Sequence, residues 1–321
     1  MMLIRPSQAL IFAWDRAARF KRRNGVPELN LTREEIRELV GVISSEVARQ
    51  MGGRQDIPPV ERPPAAHFHR EGEACECELC PHHAPPELAD ACSVHPTPDV
   101  CRLARLIDHT VLRPDATSAQ IEKLCEEAKL LGFGAVCINP AWVPLAAERL
   151  RETGVKVATV VGFPFGATLT SAKRAEAEAA IVAGAEELDM VMNVGAMRSG
   201  DCERVAGDIR GVVEAARASG ALVKVILENA FLSDEQKAEA CRIAQREGAD
   251  YVKTSTGFGP SGSTEADVRL MRKTVGPAMG VKAAGGIRTL ADMLRMLTAG
   301  ATRIGASASV AILAEASRRV S

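Results

Sequence analysis

Three lysines sit in short apolar runs towards the C-terminal end of the chain: Leu222-Val-Lys224-Val-Ile-Leu, Tyr251-Val-Lys253-Thr-Ser-Thr-Gly257 and Gly280-Val-Lys282-Ala-Ala-Gly-Gly286. An ammonium flanked by Val or Ala on a strand is costly to bury unless it is paired or gives up its proton. One such lysine is readily explained by an ion pair, whereas three on successive strand-like runs point to chemistry. Nucleophilic use of a lysine requires lowering its pKa by roughly three units, about 4 kcal/mol. A second ammonium about 4 Å away supplies that much at an effective dielectric of about 20. Lys253 and Lys282 on neighbouring strands therefore suit a Schiff-base centre, in which one attacks a carbonyl and the other keeps it unprotonated. Asp189, in Leu188-Asp-Met-Val-Met-Asn193, shares a strand face with Asn193 and is placed to move protons. Lys224 is placed to hold Asp108 or Asp189 ionised by pairing. His109 alternates to the opposite face from Asp108 and reads as a packed residue.

The elements that must position these groups are regular. From Cys101 onward, eight strand-like runs begin near Leu106, Ala135, Val155, Glu187, Leu222, Tyr251, Gly280 and Arg303. Helical segments separate them, several opened by Ser118, Ser171, Ser233 or Thr264 and several closed by glycine. Eight strands with intervening helices over some 220 residues predict a (β/α)8 TIM barrel, with an open doubly wound sheet as the alternative. Reactive groups then belong at the strands' C-terminal ends. Glycines and hydroxyls crowd the ends of the last three strands: Gly257, Gly285, Gly286, Ser307 and Ser309. Backbone N–H groups there, with a helix N-terminus, suit a phosphorylated substrate.

The first hundred residues have a different composition, with eleven of the seventeen prolines and five of the six histidines. Residues 1–50 predict an amphipathic helical segment, whose second helix has a Thr32/Glu35 capping box and Ile36, Leu39, Val40, Ile43 and Val47 on one stripe. The Pro/Gly run that follows reads as a semi-extended linker, predicting a tethered helix that need not pack on the barrel. Such a helix resembles the encapsulation peptides that carry enzymes into bacterial microcompartments, which would make shell proteins its partner. The alternative is an ordinary docking or oligomerisation helix. Within residues 51–100, Cys75, Cys77, Cys80, His82, Cys92 and His95 are dense enough to hold a structural zinc or iron-sulfur cluster, although their spacing fits no standard finger. A redox-labile linker is the competing reading.

A net charge of −1 and 3% aromatics argue against a nucleic-acid surface. No run reaches membrane-spanning length, and cysteines scattered through the pattern suit a reducing cytoplasm.

The motifs Leu188-Asp189-Met-Val-Met-Asn-Val-Gly195, Val252-Lys253-Thr-Ser-Thr-Gly-Phe258, Val281-Lys282-Ala-Ala-Gly-Gly-Ile-Arg288 and Asp108-His-Thr-Val-Leu112 closely resemble the deoxyribose-phosphate aldolases. The resemblance covers residues 101 to about 315 of the expected barrel domain, 101–321. It implies a class I aldolase with no cofactor for catalysis, cleaving 2-deoxy-D-ribose 5-phosphate to glyceraldehyde 3-phosphate and acetaldehyde, in a chain that assembles as a homo-oligomer. By resemblance Lys253 forms the Schiff base, Lys282 lowers its pKa and Asp189 transfers protons. Asp108, Cys137 and Lys224 then line the pocket, and Gly257, Gly285, Gly286, Ser307 and Ser309 hold the phosphate. Phe258 stands where some relatives have a phosphate-binding lysine, and the tail Arg318-Arg-Val-Ser321 lacks a C-terminal tyrosine that some relatives use in proton transfer. Two alternatives stay open: another Schiff-base barrel aldolase, and a scaffold whose function lies in a metal-binding interaction module.

Overall fold

The structure, a computed structural model, describes residues 32–41, 91, 94 and 97–320. After helix α1 (Pro98–Arg105), eight parallel strands alternate with helices and close into a barrel in sequence order. The strands are β1 (Ile107–Val111), β2 (Ala135–Ile138), β3 (Lys156–Val161), β4 (Glu187–Val191), β5 (Leu222–Ile226), β6 (Tyr251–Lys253), β7 (Gly280–Ala284) and β8 (Arg303–Ala306). The helices are α2 (Ser118–Leu131), α3 (Val143–Arg149), α4 (Thr170–Val182), α5 (Val194–Arg198), α6 (Cys202–Arg217), α7 (Asp234–Arg246), α8 (Glu265–Val275), α9 (Leu290–Ala299) and α10 (Ser309–Val320).

Helix starts follow the local capping chemistry. Ser233 and Gln236 form a capping box on α7, Thr289 and Asp292 one on α9, and Thr264 accepts from Asp267 N–H on α8. On α2 the cap is Thr117, boxed with Gln120, one residue before the expected Ser118. α4 starts at Thr170 without a side-chain cap. β6 is shorter than its apolar run suggests: Thr254 N–H still bonds Lys282 O, but beyond it the Thr254 hydroxyl, bonded to both the N–H and the carbonyl of Ala284, stands in for the backbone ladder.

Alternation along the strands gives each face one environment. Outward residues such as Ile107, Val136, Leu188, Val252 and Ile304 join the large core between barrel and helices. Burying each such side chain contributes about 1.5–3 kcal/mol. Inside the barrel, Leu112, Ala135, Cys137, Ala158 and Val160 form a separate small cluster, with Phe163 packed on it. The interior is therefore hydrocarbon on the β2–β3 side, and its charges come from the other strands.

Residues 33–41 are helical, with the expected capping box: Thr32 N–H bonds Glu35 Oε2 at 2.8 Å and Glu35 N–H bonds Thr32 Oγ1 at 3.3 Å. Contrary to the tethered-helix expectation, this helix docks. Ile36, Leu39 and Val40 are buried in the same core as Val100 and Leu103 of α1, and Arg37 Nε pairs with Asp99 Oδ2 at 2.9 Å. Ile43, Val47, the Pro/Gly run and the Cys75, Cys77, Cys80, His82, Cys92 and His95 set lie outside the described residues. Among the described residues no group of three His, Cys, Asp or Glu is disposed to hold a metal, and no helix is long and apolar enough to cross a membrane.

Candidate active site

All three lysines point into the barrel and are buried. Asp189 is their meeting point: its Oδ2 lies 2.7 Å from Lys253 Nζ and 2.6 Å from Lys282 Nζ, and its Oδ1 lies 2.8 Å from Lys224 Nζ. Strand register explains the convergence, since Lys253 pairs laterally with Lys282, and Asp189 with Lys224. Lys282 also pairs with Asp108 Oδ2, and Lys224 reaches Glu187 Oε2 at 2.5 Å and Asp108 Oδ2 at 3.6 Å. Cys137 Sγ stands 3.9 Å from Asp189 Oδ2, at the edge of the apolar half. The Lys253 side chain is 3% exposed and those of Lys224 and Lys282 0%, so all three are enclosed, Lys253 the least completely.

Burial alone would keep these carboxyls protonated and these ammoniums neutral; the mutual pairing reverses both tendencies. For Asp189, burial is outweighed by Lys224, Lys253 and Lys282, which hold it well below the usual carboxylate range. For Asp108, burial is outweighed by Arg303, Lys282 and Lys224, again lowering it. Lys282 is held above its ordinary value, burial being outweighed by Asp108 and Asp189. Lys224 is raised further, with burial outweighed by Asp189, Glu187 and Asp108. Burial pushes the Cys137 thiol up, which keeps it protonated. The centre is thus a neutral thiol beside fixed carboxylates and a persistently charged Lys282.

Two members of this cluster lay outside the expected set. Arg303, first residue of β8, pairs through Nε with Asp108 Oδ1 and through Nη2 with Glu187 Oε1 at 3.0 Å and Oε2 at 3.1 Å. The signal that could have found them is alternation: Glu187 lies two residues before Asp189 on the same face, and Arg303 two before Gly305. Gly305 leaves room for the neighbour, since a Cβ there would sit 3.0 Å from Lys282 Cε. His109 faces outward as expected, with Nε2 2.7 Å from Glu127 Oε2 and its ring tilted against Phe133. A fourth buried lysine, Lys173, pairs with Asp208 Oδ2 at 2.6 Å and ties α4 to α6, which is the structural use of a buried ammonium.

Gly257, Gly285 and Gly286 follow β6 and β7, and all three adopt positive φ, at +89°, +86° and +79°. The β6–α8 loop lies directly on this turn: Ser263 N–H bonds Gly285 O at 3.0 Å, and a Cβ on Gly262 would fall 2.3 Å from that oxygen. Beneath the loop, buried Glu228 accepts from Thr256 N–H at 3.1 Å and from the Thr256 hydroxyl. Ser307 is exposed after β8. Ser309 is buried, its hydroxyl donates to Ala306 O at 2.7 Å, and it opens α10, whose first-turn N–H groups have no acceptor within the helix. Phe258 stacks edge-on against Phe163 at 5.3 Å and forms part of the rim.

A family model, DeoC/LacD family aldolase, matches residues 102–315. The chain belongs to the DeoC/LacD aldolase family. Within it, a deoxyribose-phosphate aldolase of Streptococcus pneumoniae is 58% identical over 212 residues, covering 66% of this chain and 96% of that one. One from Aciduliprofundum boonei is 57% identical over 215 residues, covering 67% and 97%. Among solved structures, the tetrameric deoxyribose phosphate aldolase from Aeropyrum pernix superposes with a TM-score of 0.64 at 35% identity, covering 71% of this chain and 95% of that chain. The family match begins at α1, so the docked 33–41 helix is an addition to the aldolase barrel.

Proposed function

We propose that this DeoC/LacD aldolase is a class I deoxyribose-phosphate aldolase in which Lys253 forms the Schiff base. The observation that carries it is the pair Lys253 and Lys282, on adjacent strands, sharing one oxygen of Asp189. The neutral amine of Lys253 adds to C1 of the open-chain sugar; loss of water gives an imine whose protonated form withdraws electrons. Removal of the C3 hydroxyl proton breaks the C2–C3 bond and leaves those electrons on C2 as an enamine, releasing glyceraldehyde 3-phosphate. Protonation at C2 and hydrolysis then return acetaldehyde and the free lysine. Asp189, held ionised, serves as proton acceptor beside Lys253, and Lys282, held charged, as the donor bonded to the same oxygen. Asp108, Cys137 and Lys224 line the pocket.

The phosphate is assigned to the Gly257, Gly285-Gly286 and Ser307-to-Ser309 backbone, where N–H groups rather than a side-chain cation would hold it, Phe258 being apolar. A homo-oligomer is proposed on the strength of the tetrameric relative. With Ile36, Leu39 and Val40 buried in one core with Val100 and Leu103 of α1, that part of the stripe is not free for a microcompartment shell protein.

Borohydride trapping with acetaldehyde, followed by peptide mass spectrometry, tests the reading. The adduct is expected on the peptide containing Lys253 and should disappear in Lys253→Ala. Folded protein that gives no adduct would overturn it in favour of a scaffold.

A further inference from the structure

The charges in the barrel form a closed ring. Arg303 contacts Glu187, Glu187 contacts Lys224, Lys224 contacts Asp189, Asp189 contacts Lys282, Lys282 contacts Asp108, and Asp108 returns to Arg303. Three carboxylates alternate with three cations, and Lys224 also reaches across the ring to Asp108 Oδ2 at 3.6 Å. The ring is neutral without Lys253, whose one ion pair is to the Asp189 oxygen that Lys282 already occupies. The other titratable groups facing the ring are Tyr251 on β6, whose hydroxyl has no hydrogen-bond partner among the described residues, and Cys137 on β2. β3 contributes Lys156 at its N-terminal end, on the same face as Ala158 but 28% exposed and paired with Glu186 at 2.6 Å.

From this geometry we infer that Arg303 and Glu187 are positioning residues for the aldolase reaction: by closing the ring they make a proton on Lys253 the one uncompensated charge of the cluster around Asp189. Arg303 is suited to this because a guanidinium keeps its proton at any working pH and bridges two carboxylates from a rigid fork. Lys282 and Lys224 can stay charged because their carboxylates are fixed from the far side by Arg303. The inference rests on Lys253 being the imine-forming residue.

The test is the pH dependence of borohydride trapping with acetaldehyde in full-length protein. Arg303→Met removes one positive charge, so an ammonium on Lys253 becomes compensated. The pH midpoint for trapping should rise by about one unit or more, roughly a tenfold loss of reactive amine at a fixed pH below it. Glu187→Gln removes one negative charge and should move the midpoint down by a similar amount. The double variant restores the balance and should return near the parent value. Arg303→Lys keeps the charge with poorer geometry, so its rate should fall while its midpoint stays. If Arg303→Met does not fold, Glu187→Gln and Arg303→Lys decide the matter. Midpoints that stay fixed in Arg303→Met and Glu187→Gln while amplitudes fall, or that move the same way in those two variants, would overturn the ring's role. A missing adduct in the parent protein would instead overturn the assignment of Lys253, so the two failures are distinguishable.

Discussion

Asp189 accepts three ammonium groups on two oxygens, and that crowding sets the pH behaviour of the molecule. Asp108 and Asp189 have folded values depressed below the unfolded value of about 3.9, so their stabilisation is present above that pH and is lost as pH falls through the folded values. Lys224 and Lys282 have raised folded values, so theirs is intact below about 10.4 and is lost as pH rises through the folded values. Urea midpoints should therefore stay level between about pH 5 and 9 and fall below about 4. Asp108→Asn, which leaves Lys282 with Asp189 and Arg303 with Glu187 as their remaining carboxylates, should lower that plateau by about 3 kcal/mol and flatten its acid limb. An unchanged acid slope would count against Asp108 as a titrating contributor. At this scale the lysines, Asp108 and Asp189 were legible from strand alternation and burial cost. Glu187 and Arg303 were not, because a charge at the first position of a strand reads as a solvated end until closure brings β8 beside β1.

The β6–α8 loop is held by one corner of β5. Glu228 has positive φ, at +54°, which non-glycine residues adopt only at a cost. That conformation turns its carboxylate under Thr256, and a Cβ on Gly259 would lie 2.9 Å from Glu228 Oε1. The strained residue thus fixes the loop that carries Gly257 and Phe258 to the mouth. Glu228→Ala should raise KM for the phosphorylated substrate about tenfold, the effect of losing a buried anchor worth about 1.4 kcal/mol. Imine trapping with unphosphorylated acetaldehyde should be unaffected. Equal loss of both would show that Glu228 supports the whole barrel rather than the loop. The sequence signalled the glycines at the strand ends but not this corner, since no side-chain pattern announces a left-handed glutamate. Caps were legible to within a residue, as Thr117 in place of Ser118 shows, because adjacent hydroxyls compete for the same N–H groups.

Across the whole molecule, the barrel was legible because its eight strand–helix periods are local, whereas the docking of residues 33–41 depends on a stripe meeting α1 some sixty residues later. Val40→Asp should cost at least about 2 kcal/mol by burying an unpaired charge, with kcat unchanged, as read by thermal melts beside steady-state rates. Arg37→Ala should cost less than about 1 kcal/mol, since Arg37 is half exposed and water screens its pair with Asp99. A melt insensitive to Val40→Asp would argue that the helix is not docked in solution. The barrel's interior, hydrocarbon along β2 and β3 and ionic elsewhere, behaves like an oil–water boundary. A molecule with one greasy end and one polar end is aligned on entry before any bond forms. Acetaldehyde, a methyl joined to a carbonyl, is among the smallest molecules that such a boundary can orient.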